Sequence, residues 1–513
     1  MSNFMTAMKN EMDNRISITE NGAVGYATTG KKLLDINFAV ASLRRASEQE
    51  IVNKFMDAYY ENPMLAVKWL FYASDVREGL GERRTFRVIM NYLAEQHTNI
   101  AVAVMKLIPE YSRWDNLIAL IESDNKEVVN EALLIIKTQL ALDKMHMRED
   151  KPISLLAKWM PSENASSKDT KRKATIIRNS LAWDERRYRK TLSALRKYLD
   201  VVECKMSAKK WENIDYSTVP SKANIKYSNA FMRNDEERRK AYLESLKKGE
   251  TKINAGVLFP HDVVHKYSRG YWGTKVASYD EALEQMWKSL KDIGNIENTI
   301  VVADGSGSMT TTVDNNSSVT ALEVANALAI YCGERCSGEF KDKYITFSHR
   351  PQLVDFTNAN SLHDKLEIAL RHNEVANTNI EAVFELILKT AINNHMTQDE
   401  IPQNILILSD MEFDTCARSN YGRVNATLFD TIANKYAQYG YKLPRLVFWN
   451  LASRTGTIPV KQNDMGVALV SGFSANIMKL VLNGELDPYK ALVKELNSAR
   501  YKAIEDVIST LVQ

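Results

Sequence analysis

The sequence has little cysteine and no long apolar run, and each absence excludes a class of protein. Its 513 residues include four cysteines, at positions 204, 332, 336 and 416, and no two of them form a Cys-x-x-Cys pair. A disulfide scaffold is therefore not expected. No apolar run reaches the roughly 20 residues that a membrane-spanning helix needs, and the first residues lack the cationic and apolar regions of a signal peptide. We expect a protein of a reducing, cytoplasmic compartment that does not enter a membrane.

The sequence also lacks the short motifs of common enzyme classes. It contains no Walker A loop for nucleotide phosphates, no His-Glu-x-x-His zinc motif and no Gly-x-Ser-x-Gly nucleophile motif. His261 and His265 are four residues apart, but no glutamate lies between them, so a pair at a helix terminus is the simpler interpretation. We therefore predict a protein without enzymatic activity and without a nucleotide cofactor.

The net charge of +3 conceals a basic segment in the middle of the chain. Between Lys168 and Lys210 there are 14 Lys and Arg residues against 5 Asp and Glu residues. Clustered positive charge attracts polyanions and steers their association. Nucleic acid is thus a candidate partner, although a basic helix face is more often an ordinary solvated surface.

Hydrophobic periodicity predicts two kinds of architecture, which suits a chain too long for one core. Up to about residue 290, helices alternate with short loops, which predicts an α-helical array. Strands are then predicted at residues 299–303, 342–347, 404–409, 445–449 and 466–470. They alternate with helices, which predicts a doubly wound, mostly parallel sheet covered on both faces. The predicted division is an exposed arm (1–30), a helical domain (31–294), an α/β domain (295–485) and a terminal helix (486–513).

The most informative run ends the first of these strands. Four apolar residues, Ile300 to Ala303, precede Asp304-Gly305-Ser306-Gly307-Ser308. In an open parallel sheet, ligands bind at the carboxyl ends of the strands. Asp304, Ser306 and Ser308 should therefore present three oxygens at that edge, and oxygen ligands are the ones that Mg²⁺ prefers. The alternative is an ordinary strand-to-loop turn.

The Asp-x-Ser-x-Ser run resembles the first half of the metal-ion-dependent adhesion site of a von Willebrand factor A (vWA) domain. The resemblance implies a hydroxyl from a second loop, which is Thr378, and a carboxylate from a third loop, which is Asp410. It further implies that Mg²⁺ or another divalent cation is held there, partly through water, with one position left for a partner's carboxylate. Ala376 and Asn377 stand where the family usually has glycines before the threonine.

Several segments outside this site carry a resemblance over most of the chain. They are Thr19-Glu20-Asn21-Gly22-Ala23, residues 108–115, 219–223, 252–256, 409–414, 447–450 and 470–474. Together they resemble a family of uncharacterised proteins from phages, large viruses, plants and protists that joins a helical domain to a vWA domain. That architecture is similar to the Ro ribonucleoprotein, in which a TROVE module of HEAT-like helix pairs forms a ring closed by a vWA domain.

The resemblance to the Ro ribonucleoprotein implies binding of small or misfolded noncoding RNA. The residues expected to contact RNA are basic and interleaved with aromatics: Lys171, Arg172, Lys173, Arg178, Arg186, Arg187, Arg189 and Lys190. The alternative hypothesis is a protein-interaction scaffold without RNA binding, in which the metal site captures an Asp or Glu of a partner protein.

Overall fold

A computed structural model describes most of the chain, in two compact units. The described residues are 16–270, 275–315, 317–347, 350–373, 379–413, 428–459, 467–482, 485, 487–509 and 511. The sheet unit comprises the described residues of Met1–Leu65 and Ala255–Leu496. The helical unit comprises those of Ala66–Asn254 and Asn497–Gln513. Both units are therefore discontinuous in sequence, and they divide the chain differently from the predicted boundaries after residues 30, 294 and 485.

The regular elements are numbered here in chain order. The strands are β1 (Ile16–Ile18), β2 (Val24–Tyr26), β3 (Ser268–Arg269), β4 (Lys275–Val276), β5 (Thr299–Asp304), β6 (Lys343–Phe347), β7 (Gln352–Asp355), β8 (Asn404–Ser409), β9 (Arg445–Asn450) and β10 (Ala468–Ser471). The helices are α1 (Lys32–Phe38), α2 (Val40–Leu43), α3 (Glu48–Glu61), α4 (Pro63–Ser74), α5 (Arg84–Gln96), α6 (Thr98–Met105), α7 (Ile108–Tyr111), α8 (Trp114–Ala119), α9 (Lys126–Arg148), α10 (Leu156–Trp159), α11 (Lys168–Ser180), α12 (Glu185–Tyr198), α13 (Val202–Ser207), α14 (Ser221–Asn234), α15 (Glu236–Lys247), α16 (Pro260–Tyr267), α17 (Glu281–Lys288), α18 (Ala321–Gly333), α19 (Leu362–Arg371), α20 (Ile380–Asn393), α21 (Leu428–Gln438), α22 (Met478–Leu482), α23 (Pro488–Leu496) and α24 (Lys502–Ile508).

The core of the sheet unit is a six-stranded sheet in the order β10-β9-β8-β5-β6-β7. All neighbouring pairs are parallel except β6 and β7, which are antiparallel. All six residues of β5 are buried, as expected for a central parallel strand with both faces covered. Helix α18 contacts β5 and β6, and all its residues are buried, since it is apolar on every side.

The first described residues belong to this unit and form a hairpin. Strands β1 and β2 pair antiparallel, and Tyr26 exchanges two backbone hydrogen bonds of 2.8 Å with Ile458. A side chain at Gly25 would collide with Ile458, because an added Cβ would lie 2.7 Å from its carbonyl oxygen. Residues 16–30 were predicted within an exposed arm, but Thr19, Ala23 and others are instead buried, because long-range contacts hold the hairpin.

Residues up to 65 belong to the sheet unit because α1 and α2 are hydrogen-bonded to the ends of β9 and β10. The Ala41 amide donates a 3.0 Å hydrogen bond to Ser471 Oγ, and Asn450 Nδ2 donates one of 2.9 Å to the Phe38 carbonyl. The end of α1 and the start of α2 thus satisfy polar groups at the ends of β9 and β10.

The helical unit is built from α5–α15, most of α4, and α24. Its terminal segment is fixed by Tyr501, which is buried and stacks on Tyr111 with ring centroids 5.7 Å apart. Arg500 Nε donates a 2.9 Å hydrogen bond to the buried Asp75 carboxylate. The last helix is therefore integral to the array of helices encoded more than 300 positions earlier.

The predicted fold class is confirmed at the level of a helical region combined with an α/β region containing a mostly parallel sheet. The five predicted strands all occur, within two residues at each end. The hairpins β1–β2 and β3–β4 and the antiparallel strand β7 were not predicted. Within the described residues, no helix combines the length and apolarity needed to cross a membrane.

Candidate metal centre

The candidate centre lies at the carboxyl edge of the sheet, where β5 and β8 run side by side. Asp304 ends β5 and is 1% exposed. Its Oδ1 accepts a 2.9 Å hydrogen bond from the Ser306 amide, and its Oδ2 accepts a 2.6 Å hydrogen bond from Ser409 Oγ. The carboxylate is thus fixed by its own loop and by the neighbouring strand.

The loop after β5 carries two of the three predicted hydroxyl ligands, Ser306 and Ser308. Ser306 is buried, and its Oγ lies 2.9 Å from Ser308 Oγ. A short 3₁₀ helix, Gly307–Thr310, closes the loop behind them. Three of the predicted ligand oxygens therefore converge within one five-residue segment.

The loop after β8 turns sharply so that Asp410 faces the same edge. Met411 adopts a left-handed backbone conformation with φ of 62°, and its amide donates a 3.0 Å hydrogen bond to Ser409 Oγ. Such a conformation costs a non-glycine residue on the order of 1 kcal/mol or more. It allows the Glu412 amide to donate a 3.2 Å hydrogen bond to Asp410 Oδ1. Strain is thus stored beside the two carboxylates.

The two carboxylates strongly influence each other. The pKa of Asp304 is raised to about 7, first by burial and then by the charge of Asp410, while hydrogen bonds from Ser409 and Ser306 oppose the rise. Burial also raises the pKa of Asp410, against the effects of the nearby Ser308 hydroxyl and Arg454 guanidinium. Two buried acids held together are costly unless a positive charge lies between them.

The second predicted loop, which precedes α20, is described at Asn373 and Asn379. Asn373 lies next to the first loop, since its Oδ1 would be 3.6 Å from a Cβ added at Gly305. Asn379 caps α20 by accepting a 3.0 Å hydrogen bond from the Ala382 amide. The predicted ligand Thr378 lies outside the described residues.

Arg454, which the sequence did not single out, lies beside the centre. Its Nη2 is 3.3 Å from Asp410 Oδ2 and 2.5 Å from Glu20 Oε2. Asp410 Oδ2 is buried and makes no well-aligned hydrogen bond within the described structure. The guanidinium therefore supplies one positive charge near two buried carboxylates.

Glu412, also missed, is a fully buried carboxylate that joins three segments. Its Oε1 accepts hydrogen bonds from the Arg454 amide at 2.7 Å and the Thr455 amide at 2.9 Å. Its Oε2 accepts one of 2.8 Å from the Glu20 amide. The Thr19 hydroxyl also donates to the Phe413 carbonyl at 2.7 Å. The segments 19–23 and 409–413 are thus neighbours in the structure.

The donor set fits a hard divalent cation. It consists of two carboxylates and two hydroxyls from Asp304, Ser306, Ser308 and Asp410, and the Asp410 Oδ2 atom has no aligned donor. Within the described residues, no group of three or more His, Cys, Asp or Glu side chains is arranged to hold a metal. Such a soft or carboxylate-rich cluster is not required by a site that relies on hydroxyls and water.

The eight residues predicted to contact RNA lie on two helices of the helical unit. Helix α11 carries Lys171, Arg172, Lys173 and Arg178, and α12 carries Arg186, Arg187, Arg189 and Lys190.

Three of these eight side chains are neutralised by acids. Arg172 lies 2.5 Å from Glu122 and 2.8 Å from Asp169, and Lys173 lies 3.1 Å and 2.6 Å from the same two residues. Arg178 lies 2.7 Å from Glu163. These three charges are less available to a polyanion.

The two aromatic residues of this segment, Trp183 before α12 and Tyr188 within it, already make contacts inside the unit. Trp183 is flanked by Arg187 at 4.9 Å and Lys144 at 5.2 Å from its ring centroid. Tyr188 is buried and donates a 2.8 Å hydrogen bond to the Pro161 carbonyl. Lys171, Arg186, Arg189 and Lys190 are exposed and form no ion pair within the described structure.

Two family models match parts of this chain, and a relative matches most of it. Residues 298–507 match a family described as Domain of unknown function (DUF7788). Residues 19–114 and 166–299 match a family described as Domain of unknown function (DUF2828). The relative is "Uncharacterized protein L728" of Acanthamoeba polyphaga mimivirus, which is 30% identical over 508 residues, covering 92% of this chain and 85% of the viral protein.

Proposed function

This chain belongs to the same family as the mimivirus protein L728, and we propose that it is a binding protein with a Mg²⁺-dependent docking site for a partner's carboxylate. In this proposal residues 295–485 form a vWA domain. Mg²⁺ or another divalent cation is held by Asp304, Ser306, Ser308, Thr378 and Asp410, some of them through water. When bound, the cation would supply a positive, Lewis-acidic centre to which an Asp or Glu of the partner could bind. The proposed compartment is the cytoplasm.

The observation that carries the proposal is the meeting of Asp304 and Asp410 at one edge of the sheet. The serine and amide donors around the two acids are uncharged, and one guanidinium, that of Arg454, lies 3.3 Å from Asp410 Oδ2. One positive charge thus stands against two buried carboxylates. A divalent cation between the two carboxylates would remove their mutual repulsion and replace part of their lost hydration. The adjacent hydroxyls of Ser306 and Ser308 add neutral oxygen ligands without adding charge.

The test is a titration of the purified protein with Mg²⁺, following thermal unfolding and binding heat. A ligand that binds only the folded state stabilises it, by about 2.7 kcal/mol at a hundredfold excess over Kd. Asp304→Ala should remain folded and lose this stabilisation. Asp355→Asn is the matched control, because Asp355 also ends a strand of the sheet but is exposed. A wild-type response that persists in Asp304→Ala would refute the site.

A second candidate function is Ro-like RNA binding through a TROVE-like, HEAT-like helical domain. It is supported by the four exposed basic residues on α11 and α12 that have no acidic partner within the described structure. Phosphate groups would exchange their counterions for these side chains. The three residues paired with acids, and the two cations within about 5 Å of the Trp183 ring, make this surface less favourable for RNA than the sequence alone indicated. The two functions are compatible, since they use different units.

The RNA candidate is tested by purifying the protein under mild conditions from its native host and sequencing the nucleic acid that accompanies it. A discrete set of small or misfolded noncoding RNAs, released as salt is raised, would support it. If the purified protein carries no RNA and still responds to Mg²⁺, the docking of a partner's carboxylate is the candidate function that remains.

A further inference from the structure

Arg454 bridges the candidate metal centre and the amino-terminal hairpin. One nitrogen, Nη2, approaches both Glu20 Oε2 at 2.5 Å and Asp410 Oδ2 at 3.3 Å. The Arg454 side chain is 27% exposed and that of Glu20 is 56% exposed, so the contact opens to solvent on the Glu20 side. The Arg454 guanidinium thus lies between the Glu20 carboxylate and that of Asp410, which is a predicted metal ligand.

The backbones of both residues are held independently of this ion pair. The amides of Glu20 and Arg454 donate to opposite oxygens of the buried Glu412 carboxylate, at 2.8 Å and 2.7 Å. The Glu20 side chain can therefore leave Arg454 by rotamer changes alone, without any loss of the hairpin. Exposed ion pairs of this kind contribute little stability, so the exchange is cheap.

A second arginine adds positive charge to the same surface. Arg45 Nη2 is 3.4 Å from Thr312 Oγ1, in the loop that follows the serines. The pKa of Arg45 is lowered by burial and then by the charge of Arg454, and Asp314 acts in the opposite direction. Arg45 thus lies close enough for Arg454 to act on its charge, and Asp314 offsets part of that positive charge.

We infer that Glu20 is an internal ligand of this surface, and that an acidic segment of a partner protein docks by displacing it from Arg454. The inference rests on the proposed metal site and names its regulation and specificity. One partner carboxylate joins the cation, and Arg454 holds another beside it through charge-assisted hydrogen bonds. Glu20 remains paired with Arg454 when the partner is absent. A partner segment with few acidic residues therefore does not displace Glu20 and does not bind.

The test measures binding of a fluorescein-labelled hexaglutamate peptide to the full chain in saturating Mg²⁺. Glu20→Gln should bind the peptide about threefold more tightly, because the competing carboxylate is gone. Arg454→Gln should bind it about tenfold more weakly, because a charge-assisted contact is lost. The same variant should bind Mg²⁺ about threefold more tightly, because a like charge beside the cation is removed. If Arg454 only stabilised the fold, its replacement would not weaken peptide binding while strengthening Mg²⁺ binding.

Glu367 and Arg371 provide matched controls on α19, since they form an exposed ion pair in the same unit, with 3.7 Å between Oε2 and Nη2. Glu367→Gln and Arg371→Gln should leave both affinities unchanged. Unaltered peptide affinity in Glu20→Gln, or in Arg454→Gln with an intact Mg²⁺ response, would overturn the inference while leaving the metal site standing. Absence of any Mg²⁺ response in the wild type would instead refute the proposed function.

Discussion

Ser409 donates a 2.6 Å hydrogen bond to Oδ2 of Asp304, across neighbouring strands and 105 positions of sequence. The other carboxylate oxygen, Oδ1, accepts a hydrogen bond from the Ser306 amide. Both oxygens of Asp304 are therefore held in place by the protein itself. Ser409 also accepts from the Met411 amide, which places the turn that carries Asp410. One hydroxyl therefore positions both acids of the candidate centre.

Replacing Ser409 by alanine should weaken Mg²⁺ binding by about tenfold, because groups that orient metal ligands typically contribute that much. Isothermal titration calorimetry would measure the change. Thr346→Val is the matched control: Thr346 is buried on β6, and its hydroxyl has no hydrogen-bond partner within the described structure. Equal affinities in the wild type and Ser409→Ala would exclude the positioning role.

The metal-free protein should lose stability as pH rises, through the Asp304 carboxyl. The pKa of this group in the folded protein is about 7, against 3.8 ordinarily. Between these values the folded state keeps a proton that the unfolded chain has released. The free energy of unfolding therefore falls across this window, by up to a few kcal/mol.

Carboxyl groups away from the centre titrate alike in both proteins, so comparison with Asp304→Asn isolates the titration of the interacting pair Asp304 and Asp410. In EDTA, the wild-type Tm minus the variant Tm should decrease from pH 5 to pH 8, a range set by the raised pKa of Asp304. Excess Mg²⁺ should abolish the decrease at the alkaline end. A difference that is flat with pH in EDTA would show that Asp304 is ionised throughout.

Replacing Glu412 by alanine should destabilise the sheet unit by about 2–4 kcal/mol, because several buried donors lose their acceptor at once. Amide hydrogen exchange should accelerate at residues 16–26 and remain slow in the buried helix α18. Glu400→Gln changes an exposed glutamate that caps a short 3₁₀ helix and should leave both regions unaffected. Unchanged exchange in the hairpin of Glu412→Ala would mean that other contacts suffice to hold it.

For the RNA candidate, the unpaired basic residues should matter more than the paired ones. The variant Arg186→Gln/Arg189→Gln/Lys190→Gln should bind single-stranded RNA at least tenfold more weakly and show a shallower dependence of log K on log salt. Arg172→Gln/Lys173→Gln should change binding much less, because Glu122 and Asp169 already offset those charges. Equal losses in the two variants would place RNA binding elsewhere or make it nonspecific.

The sheet was predictable because central parallel strands are buried on both faces and give continuous apolar runs, such as Ile405 to Leu408. The same runs predicted where Asp304 and Asp410 meet, since parallel neighbours end at one edge. The hairpin β1–β2 was not predictable, because its strands have three residues each and are held by distant groups. Arg454 and Glu412 gave no local signal either, because both contact Glu20, which lies 392 positions before Glu412 and even further from Arg454.

The discontinuous units have a consequence for how the protein is made. The Thr19 hydroxyl meets its acceptor, the Phe413 carbonyl, across 394 positions of sequence. During synthesis the hairpin therefore emerges from the ribosome long before the loop that holds it. The helical unit waits in turn for Arg500 to reach Asp75. The sheet unit therefore cannot finish folding before residues 409–413 have been synthesised, and the helical unit cannot finish before residue 500 has been. The candidate centre is thus assembled long after its first strand has been made.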